Sequence, residues 1–245
     1  MLPVHVPELP TTTRQAFAWR QTLATTVVLF VLIAAWDLSG LDLVMARWFG
    51  SPAGFALRDH WFWSTVLHEG ARRVAWALQL VLLLAIWWPF GVLRRLSRRE
   101  RAGMFVTAML ILLVISGFKT IDTTSCPWDL AEFGGQASYV SHWSWGVRDG
   151  GAGHCFPAGH ASAAFCFLPG YFWLRRTAPR HARLWLAATL IAAMTLGLAQ
   201  QVRGAHYLSH TLWTGWISWA VASLAHHGMP LRRRLRHALR RANHD

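Results

Sequence analysis

Six apolar stretches, separated by clusters of arginine, constrain the fold of this chain more than any other feature. The hydrocarbon core of a membrane is about 30 Å thick, and about 20 mostly apolar helical residues cross it. The stretches cover residues 23–38, 74–93, 103–118, 158–174, 184–198 and 207–225. They predict an all-α integral membrane protein that forms a six-transmembrane-helix bundle.

The composition agrees with a membrane environment. The 245 residues are 54% hydrophobic and 14% charged, whereas a soluble domain carries about 25% charged residues. No tract resembles a second, soluble domain. We therefore predict a single membrane-embedded domain over residues 1–245.

The distribution of basic residues predicts the orientation of the helices. Seventeen of the 24 Arg and Lys residues fall on one side of the six predicted spans, and the basic side of a membrane protein is usually cytoplasmic. Both termini are then cytoplasmic, in a multi-pass protein of the bacterial inner membrane. Because the arginines lie between apolar stretches, the net charge of +13 does not indicate nucleic-acid binding. The basic residues on the opposite side are Arg47, Arg58, Arg72, Arg73, Lys119, Arg148 and Arg203.

Three short polar segments fall on that opposite, periplasmic side. The first is KTIDTTSCP at residues 119–127, and it contains the only lysine of the chain. The second is FPAGH at residues 156–160, and the third is QQVRGAHYLSH at residues 200–210. Together they bring one Lys, one Arg and three His to the ends of different helices.

These residue types suit phosphoryl transfer, which needs cations or amides on the phosphate oxygens, a nucleophile and an acid for the leaving oxygen. Lys119, Arg203 and the main-chain amides at Ala158 and Gly159 can bind the oxygens, because free amides at a helix start bind phosphate. We predict that His206 is the nucleophile, since a neutral imidazole is nucleophilic near pH 7. His160 then protonates the leaving oxygen.

In this order and spacing, the three segments resemble the motifs of the type 2 phosphatidic acid phosphatase superfamily. Its pattern is Lys-x6-Arg-Pro, then Pro-Ser-Gly-His, then Ser-Arg-x5-His-x3-Asp. The identities in this chain are Lys119, Pro127, Pro157, Gly159, His160 and His206. The resemblance implies a six-helix membrane phosphatase that needs no metal or other cofactor and forms a phosphohistidine at His206.

Four positions depart from the family pattern. Cys126 and Gln200 stand where the family has arginine, and Ala158 stands where it has serine. His210 replaces the aspartate that orients the nucleophile. Arg203 lies three residues after Gln200, on the same face if the segment is helical, and is predicted to bind phosphate in its place.

His210 can exchange a hydrogen bond with His206, but it cannot supply a carboxylate charge. The sequence offers Asp122, Asp129 and Asp149 on the outer side as acids that could supply it. Cys126 and Cys155 fall in the same outer loop, where an oxidising compartment permits a disulfide.

We therefore expect hydrolysis of a phosphate monoester or pyrophosphate on a membrane lipid at the periplasmic face. The substrates that fit are undecaprenyl pyrophosphate, phosphatidylglycerol phosphate, phosphatidic acid and the phosphates of lipid A. Transfer of the phosphate to a second lipid is equally compatible with a phosphohistidine. A rival interpretation is a non-enzymatic membrane protein that binds metal or haem through His154, His160, His206 and His210. The absence of a Cys/His/Glu cluster with metal spacing argues against it.

Overall fold

The computed structural model of the protein describes residues 11–242, and it describes side chains from residue 18 to residue 228. Residues 1–10 and 243–245 of the predicted domain, and the side chains of the arginines at positions 14 and 232–241, lie outside that description. The structure is mainly helical, with 69% helix and 3% strand. Its α-helices are α1 (Thr11–Leu38), α2 (Leu41–Arg47), α3 (Ala71–Leu84), α4 (Arg98–Ile121), α5 (Gly159–Phe165), α6 (Pro169–Leu174), α7 (Pro179–Val202) and α8 (Leu208–Ala242).

Short elements connect these helices. Strand β1 (Gly50–Ser51) pairs antiparallel with β2 (Gly54–Phe55), and a π-helical segment, Phe62–Gly70, leads directly into α3. Shorter 3₁₀ turns cover Gly91–Arg95, Pro127–Asp129 and Ala131–Phe133.

Within the described residues, three helices are long and apolar enough to cross a membrane, at Ala18–Leu38, Arg98–Ile121 and Pro179–Val202. They contain the first, third and fifth predicted spans, and they make this a membrane protein. The other three spans stay predictions. They fall on α3, which has 14 residues, on the pair α5 and α6, and on α8.

The break between α5 and α6 has a local cause. Pro169 is the first residue of α6, and proline has no N–H to donate to the preceding turn. The chain therefore makes a turn at residues 166–168 before the helix resumes.

The buried face of α8 is polar, which lowers the hydropathy of this helix. Thr214 donates from Oγ1 to the His210 carbonyl (2.8 Å), and Ser218 donates from Oγ to the Thr214 carbonyl (2.7 Å). These bonds satisfy the hydroxyl groups within the helix, as a polar group away from water requires. The face can therefore pack against other helices instead of lipid.

The central core joins α4 to α5, α6 and α8. Met104, Ile111 and Ile115 of α4 are buried in one cluster with Phe165 and Phe172. Small residues bring other helices closer: a Cβ atom at Gly197 of α7 would overlap the Thr211 side chain of α8. Close approach at small residues is typical of helix packing in membranes.

The loop between α4 and α5 is tied together at its two ends. The structure contains a disulfide between Cys126 and Cys155, the pair that the sequence suggested. Beside it, the Cys155 N–H donates to the Thr124 carbonyl (3.0 Å), and the His154 N–H donates to the Asp122 carbonyl (3.1 Å). Cys166 is a buried free cysteine.

We expect the double substitution Cys126→Ser/Cys155→Ser to lower the thermal midpoint of the detergent-solubilised protein. The disulfide closes a loop with a sequence separation of 29, and a crosslink of this span stabilises by about 3 kcal/mol through the unfolded state. Cys166→Ala is the control for loss of a thiol. Thiol titration of unfolded wild-type protein without reductant should find Cys166 alone, and three titratable thiols would contradict the bridge.

Candidate active site

The three predicted motifs meet where α4 ends and where α5 and α8 begin. The Trp128 N–H, next to the first motif, donates to the Gly204 carbonyl of the third motif (2.9 Å). The Ala158 N–H of the second motif donates to the His210 carbonyl of the third (3.3 Å). Segments far apart in the sequence are thus joined through main-chain hydrogen bonds.

The turn between α7 and α8 sets the positions of Arg203 and His206. Gly204 has a φ of +76°, and a Cβ atom there would overlap the Phe55 ring. Both the left-handed backbone and the close approach require glycine at this position. The turn is closed by the Ala205 N–H, which donates to the Gln200 carbonyl (2.8 Å).

His206 is buried beside the disulfide, with Nδ1 3.6 Å from Cys155 Sγ. Burial is the largest effect on this imidazole and lowers its pKa well below the ordinary value of 6.5. The positive charge of Lys119 acts in the same direction, and the main-chain carbonyl of Cys155 acts in the opposite one. His206 is therefore neutral at pH 7 and keeps a lone pair for attack.

Arg203 is buried, and two acceptors hold its guanidinium. Its Nε donates to the Arg58 carbonyl (2.7 Å), and NH1 donates to Gln200 Oε1 (3.1 Å). Gln200, at the position where the family has arginine, thus orients the arginine one turn away. A guanidinium has five N–H groups, so up to three remain for a ligand among the contacts that the structure describes.

Lys119 lies against the first turn of α5. A Cβ atom at Gly159 would lie 3.7 Å from Lys119 Cδ, so glycine leaves the backbone amide open toward the lysine side chain. The Ala158 amide, by contrast, is occupied by its bond to His210. The sequence assigned two amides, those of Ala158 and Gly159, to phosphate binding. Because the Ala158 amide is engaged, the Gly159 amide remains for phosphate.

His160 stacks on a histidine that the sequence did not single out. The ring centroids of His160 and His68 are 3.6 Å apart, with 31° between the ring planes. His68 comes from the π-helical segment Phe62–Gly70, which follows the β-hairpin between α2 and α3.

His210 faces the loop between α4 and α5 instead of an acid. Its side chain is 2% exposed, and its Nδ1 has no hydrogen-bond partner among the residues that the structure describes. The rings of His142 and Phe156 lie edge-on to it, each with a centroid distance of 5.3 Å. His142 Nε2 in turn lies 3.1 Å from Asp37 Oδ2, and both side chains are 6% exposed.

The three acids that the sequence offered have other partners. Asp122 accepts from the Phe156 N–H (2.8 Å), Asp149 accepts from Ser125 Oγ (2.8 Å), and Asp129 accepts from Trp128 Nε1 (2.9 Å). All three bonds hold the loop between α4 and α5. Asp37, at the end of α1, is the carboxylate that the structure brings toward His210 through His142.

Sequence reasoning missed His68, His142, Asp37 and Asp42. Asp42 of α2 accepts from the Ser209 N–H (3.1 Å) and so caps α8 from another helix, a favourable place for a negative charge. Burial raises the pKa of this carboxyl above its usual range. Each of the four belongs to the first 73 residues or to the long loop, where no local spacing links it to the motifs.

One group of potential metal ligands lies close together in the described part of the chain. Cys126 Sγ, Cys155 Sγ and an imidazole nitrogen of His206 lie within 4.8 Å of one another. The two cysteines share a disulfide, and the thiolate is the form that binds metal. His206 is then the single side chain of this group that can ligate. His154, another ligand of the rival interpretation, contacts the Lys119 carbonyl with Nδ1 (3.0 Å).

An apolar cavity of about 400 Å³ opens beside the site. It lies between α1, α4, α8 and the loop at residues 142–146, and Asp122 and His142 stand at its polar side. Its aromatic lining includes Phe30, Phe118, Trp143, Phe156 and Trp213.

The model of the PAP2 superfamily matches residues 101–234. The match runs from the beginning of α4 into α8 and includes all three motifs. Comparison with curated proteins and with solved structures found no match. The match to this family supports phosphatase activity in general. Because more than half of the chain matches, and because the fold joins the motifs at one place, the chain belongs to the PAP2 superfamily.

Proposed function

We propose that this protein hydrolyses a phosphate monoester or pyrophosphate on a membrane lipid, at the periplasmic face of the bacterial inner membrane. The reaction proceeds through a phosphohistidine at His206 and uses no metal. The observation that carries the proposal is the burial of His206 beside the Cys126–Cys155 disulfide, at the point where the three motifs meet.

The first step forms the covalent intermediate. A lone pair of His206 attacks the phosphorus atom, the bond from phosphorus to the leaving oxygen breaks, and His160 gives its proton to that oxygen. With Nδ1 turned toward Cys155 Sγ, Nε2 is the attacking nitrogen. Water then attacks the phosphohistidine, His160 regains a proton from that water, and inorganic phosphate leaves.

Lys119, Arg203 and the Gly159 amide bind the equatorial oxygens. Their positive charges and N–H groups stabilise the charge that these oxygens carry in the transition state. Arg203 suits this role because its other N–H groups are already held by Arg58 and Gln200. A guanidinium that is fixed in advance loses less conformational entropy when the phosphate binds.

The positive charge that develops on His206 needs compensation without the aspartate of the family. The Cys155 carbonyl favours the protonated imidazole and opposes the effect of burial on the pKa of His206. Asp37 adds a negative charge behind His142 and His210. We assign the orienting role to His210, with Asp37 and His142 as the pair that supports it.

The apolar cavity accommodates the lipid chain next to the phosphate site. Its walls are aromatic side chains of α1, α4 and α8. Phe156, the first residue of the second motif, also lines the cavity. An amphiphile with its headgroup at Lys119 and its chain between helices suits this arrangement. Undecaprenyl pyrophosphate, phosphatidylglycerol phosphate, phosphatidic acid and lipid A phosphates all have that form.

We expect His206→Ala to abolish both turnover and an acid-labile, base-stable phosphoenzyme, because no other group supplies the attacking lone pair.

His160→Ala should slow hydrolysis of alkyl phosphates by about 10²–10⁴-fold and slow hydrolysis of pyrophosphates less, since protonation matters most for poor leaving groups. Phosphate release from a panel of lipid phosphates, with and without EDTA, measures the turnover of both variants.

His181→Ala is the matched control, because His181 is an exposed histidine at the start of α7. It should behave like wild type. Undiminished turnover in His206→Ala would refute the mechanism, and loss of wild-type activity in EDTA would refute metal independence.

A bulky side chain in the cavity should select against long lipid chains. Ile121 lines the cavity and is 61% exposed, so Ile121→Trp can enter the cavity without disturbing the core. At about 0.8 kcal/mol per buried methylene, exclusion of two methylenes lowers kcat/KM for long-chain phosphatidic acid roughly 15-fold. Leu113→Trp, at an exposed position of α4 outside the cavity lining, is the control. Equal losses on long-chain and dibutyryl substrates would contradict a chain-binding role.

The proposed orientation can be tested by labelling single cysteines. In a Cys166→Ala background, Arg98→Cys and Arg180→Cys place thiols at exposed positions of the predicted cytoplasmic side, and Arg148→Cys places one on the outer side. An impermeant maleimide applied to cells with a permeabilised outer membrane should label the Arg148→Cys variant alone. Labelling of the other two from outside would reverse the topology.

A further inference from the structure

His68 and His160 form a pair that no motif explains. Their ring centroids are 3.6 Å apart, although 92 positions separate them in the sequence. His68 lies in the nine-residue π-helical segment Phe62–Gly70, and π-helical turns are rare and frequent at functional sites. The pair therefore connects the first outer loop to the side chain that the proposed mechanism uses as its acid.

Glu69 orients the outer of the two rings. His68 Nδ1 lies 3.1 Å from Glu69 Oε1, and Glu69 Oε2 accepts from an Arg72 NH2 group (2.7 Å). A carboxylate at Nδ1 selects the tautomer that carries its proton there. The His68 side chain is 25% exposed, and its ring lies between this carboxylate and the His160 ring.

His160 has an unfavourable electrostatic environment for an acid. The Lys119 side chain of α4 lies beside the adjacent Gly159, and Arg203 and Arg72 contribute further positive charge near His160. All three cations disfavour a protonated imidazole. General-acid catalysis nevertheless requires His160 to hold a proton when the leaving oxygen departs.

We infer that His68, paired with Glu69, is a positioning residue that holds the His160 ring in its proton-donating orientation. This inference rests on the proposed function of His160 as the general acid. Two protonated imidazoles 3.6 Å apart would repel each other, so one ring of the pair must be neutral. A neutral His68 that donates Nδ1–H to Glu69 stacks on His160 without adding a second positive charge.

Burial and the neighbouring charges keep the His68 ring neutral. Burial lowers the pKa of His68 first, and the positive charge of Arg203 lowers it further. Glu69 acts in the opposite direction without reversing the shift. His68 then adds no positive charge beside His160 at pH 7.

Two substrates with the same tail separate this role from a structural one. Octyl phosphate has a poor alkoxide leaving group, whereas 4-octylphenyl phosphate has a better, phenolate leaving group. In full-length protein in detergent, His68→Ala should lower kcat for octyl phosphate about 10-fold, a part of the full general-acid effect. It should lower kcat for the aryl ester about twofold or less and leave both KM values unchanged.

Further variants separate the contribution of the His68 ring from that of the Glu69 charge. His68→Phe keeps a stacked ring and should recover part of the loss on octyl phosphate. Glu69→Gln keeps the ring and removes the carboxylate charge, so it should show the same leaving-group preference as His68→Ala while folding normally. Arg73→Ala, an exposed neighbour, is the control and should match wild type on both esters.

The outcomes distinguish this inference from the proposed function. A wild-type protein that releases no phosphate from lipid phosphates or from either ester would overturn both. If wild type is active and His160→Ala shows the leaving-group preference, equal losses on both esters in His68→Ala and Glu69→Gln would overturn the role of His68 alone. Wild-type kcat on octyl phosphate in His68→Ala would do the same.

Discussion

Two hydrogen bonds fasten the start of α5 to the first turns of α8, and the arrangement of the site depends on them. The Ala158 N–H donates to the His210 carbonyl, and the Thr214 hydroxyl shares its proton between the Ala158 carbonyl (3.1 Å) and the His210 carbonyl (2.8 Å). Both groups of Ala158 are buried, where an unsatisfied N–H or carbonyl costs a few kcal/mol. The bonds therefore hold the second and third motifs in one relative position and leave Gly159 as the first open amide.

The loop between α4 and α5 extends that constraint to the first motif. The disulfide brings Cys126 next to Cys155, and Trp128 hydrogen-bonds to Gly204 in the turn before α8. Asp122 and Asp149 are used inside the loop, where main-chain N–H groups bind their carboxylates. Both acids thus stabilise the loop, and in the proposed mechanism Lys119 and Arg203 supply the positive charge that binds phosphate.

Two residues that depart from the family pattern, Gln200 and His210, contact other residues that take part in the site. Gln200 replaces an arginine and accepts a hydrogen bond from Arg203 one turn later. His210 replaces an aspartate and lies edge-on to His142, which pairs with Asp37. In the proposed mechanism, the positive charge that binds phosphate and the negative charge that supports the nucleophile thus come from different positions. The segment between α2 and α3 contributes as well, since His68 packs on His160.

The sequence by itself determined the membrane class, the three motifs with His206, His160, Lys119 and Arg203, and the cysteine pair. Hydropathy over a helix length and spacing within one turn are local properties, so they can be counted along the chain. Three helices carry the expected apolar length, whereas the α5–α6 break at Pro169 and the polar face of α8 depend on packing. The site roles and the remaining spans stay predictions.

Only the tertiary structure decided which side chains complete the site. His68, His142 and Asp37 are separated from their partners by a loop or by several helices, and no periodicity relates positions on different helices. The hydrogen bond of the Ala158 amide could not be predicted either. The sequence pattern assigned this amide to phosphate, whereas in the structure it donates to the His210 carbonyl. Contacts between helices follow from which faces pack together, and the buried polar groups select that packing because each must find its partner inside the protein.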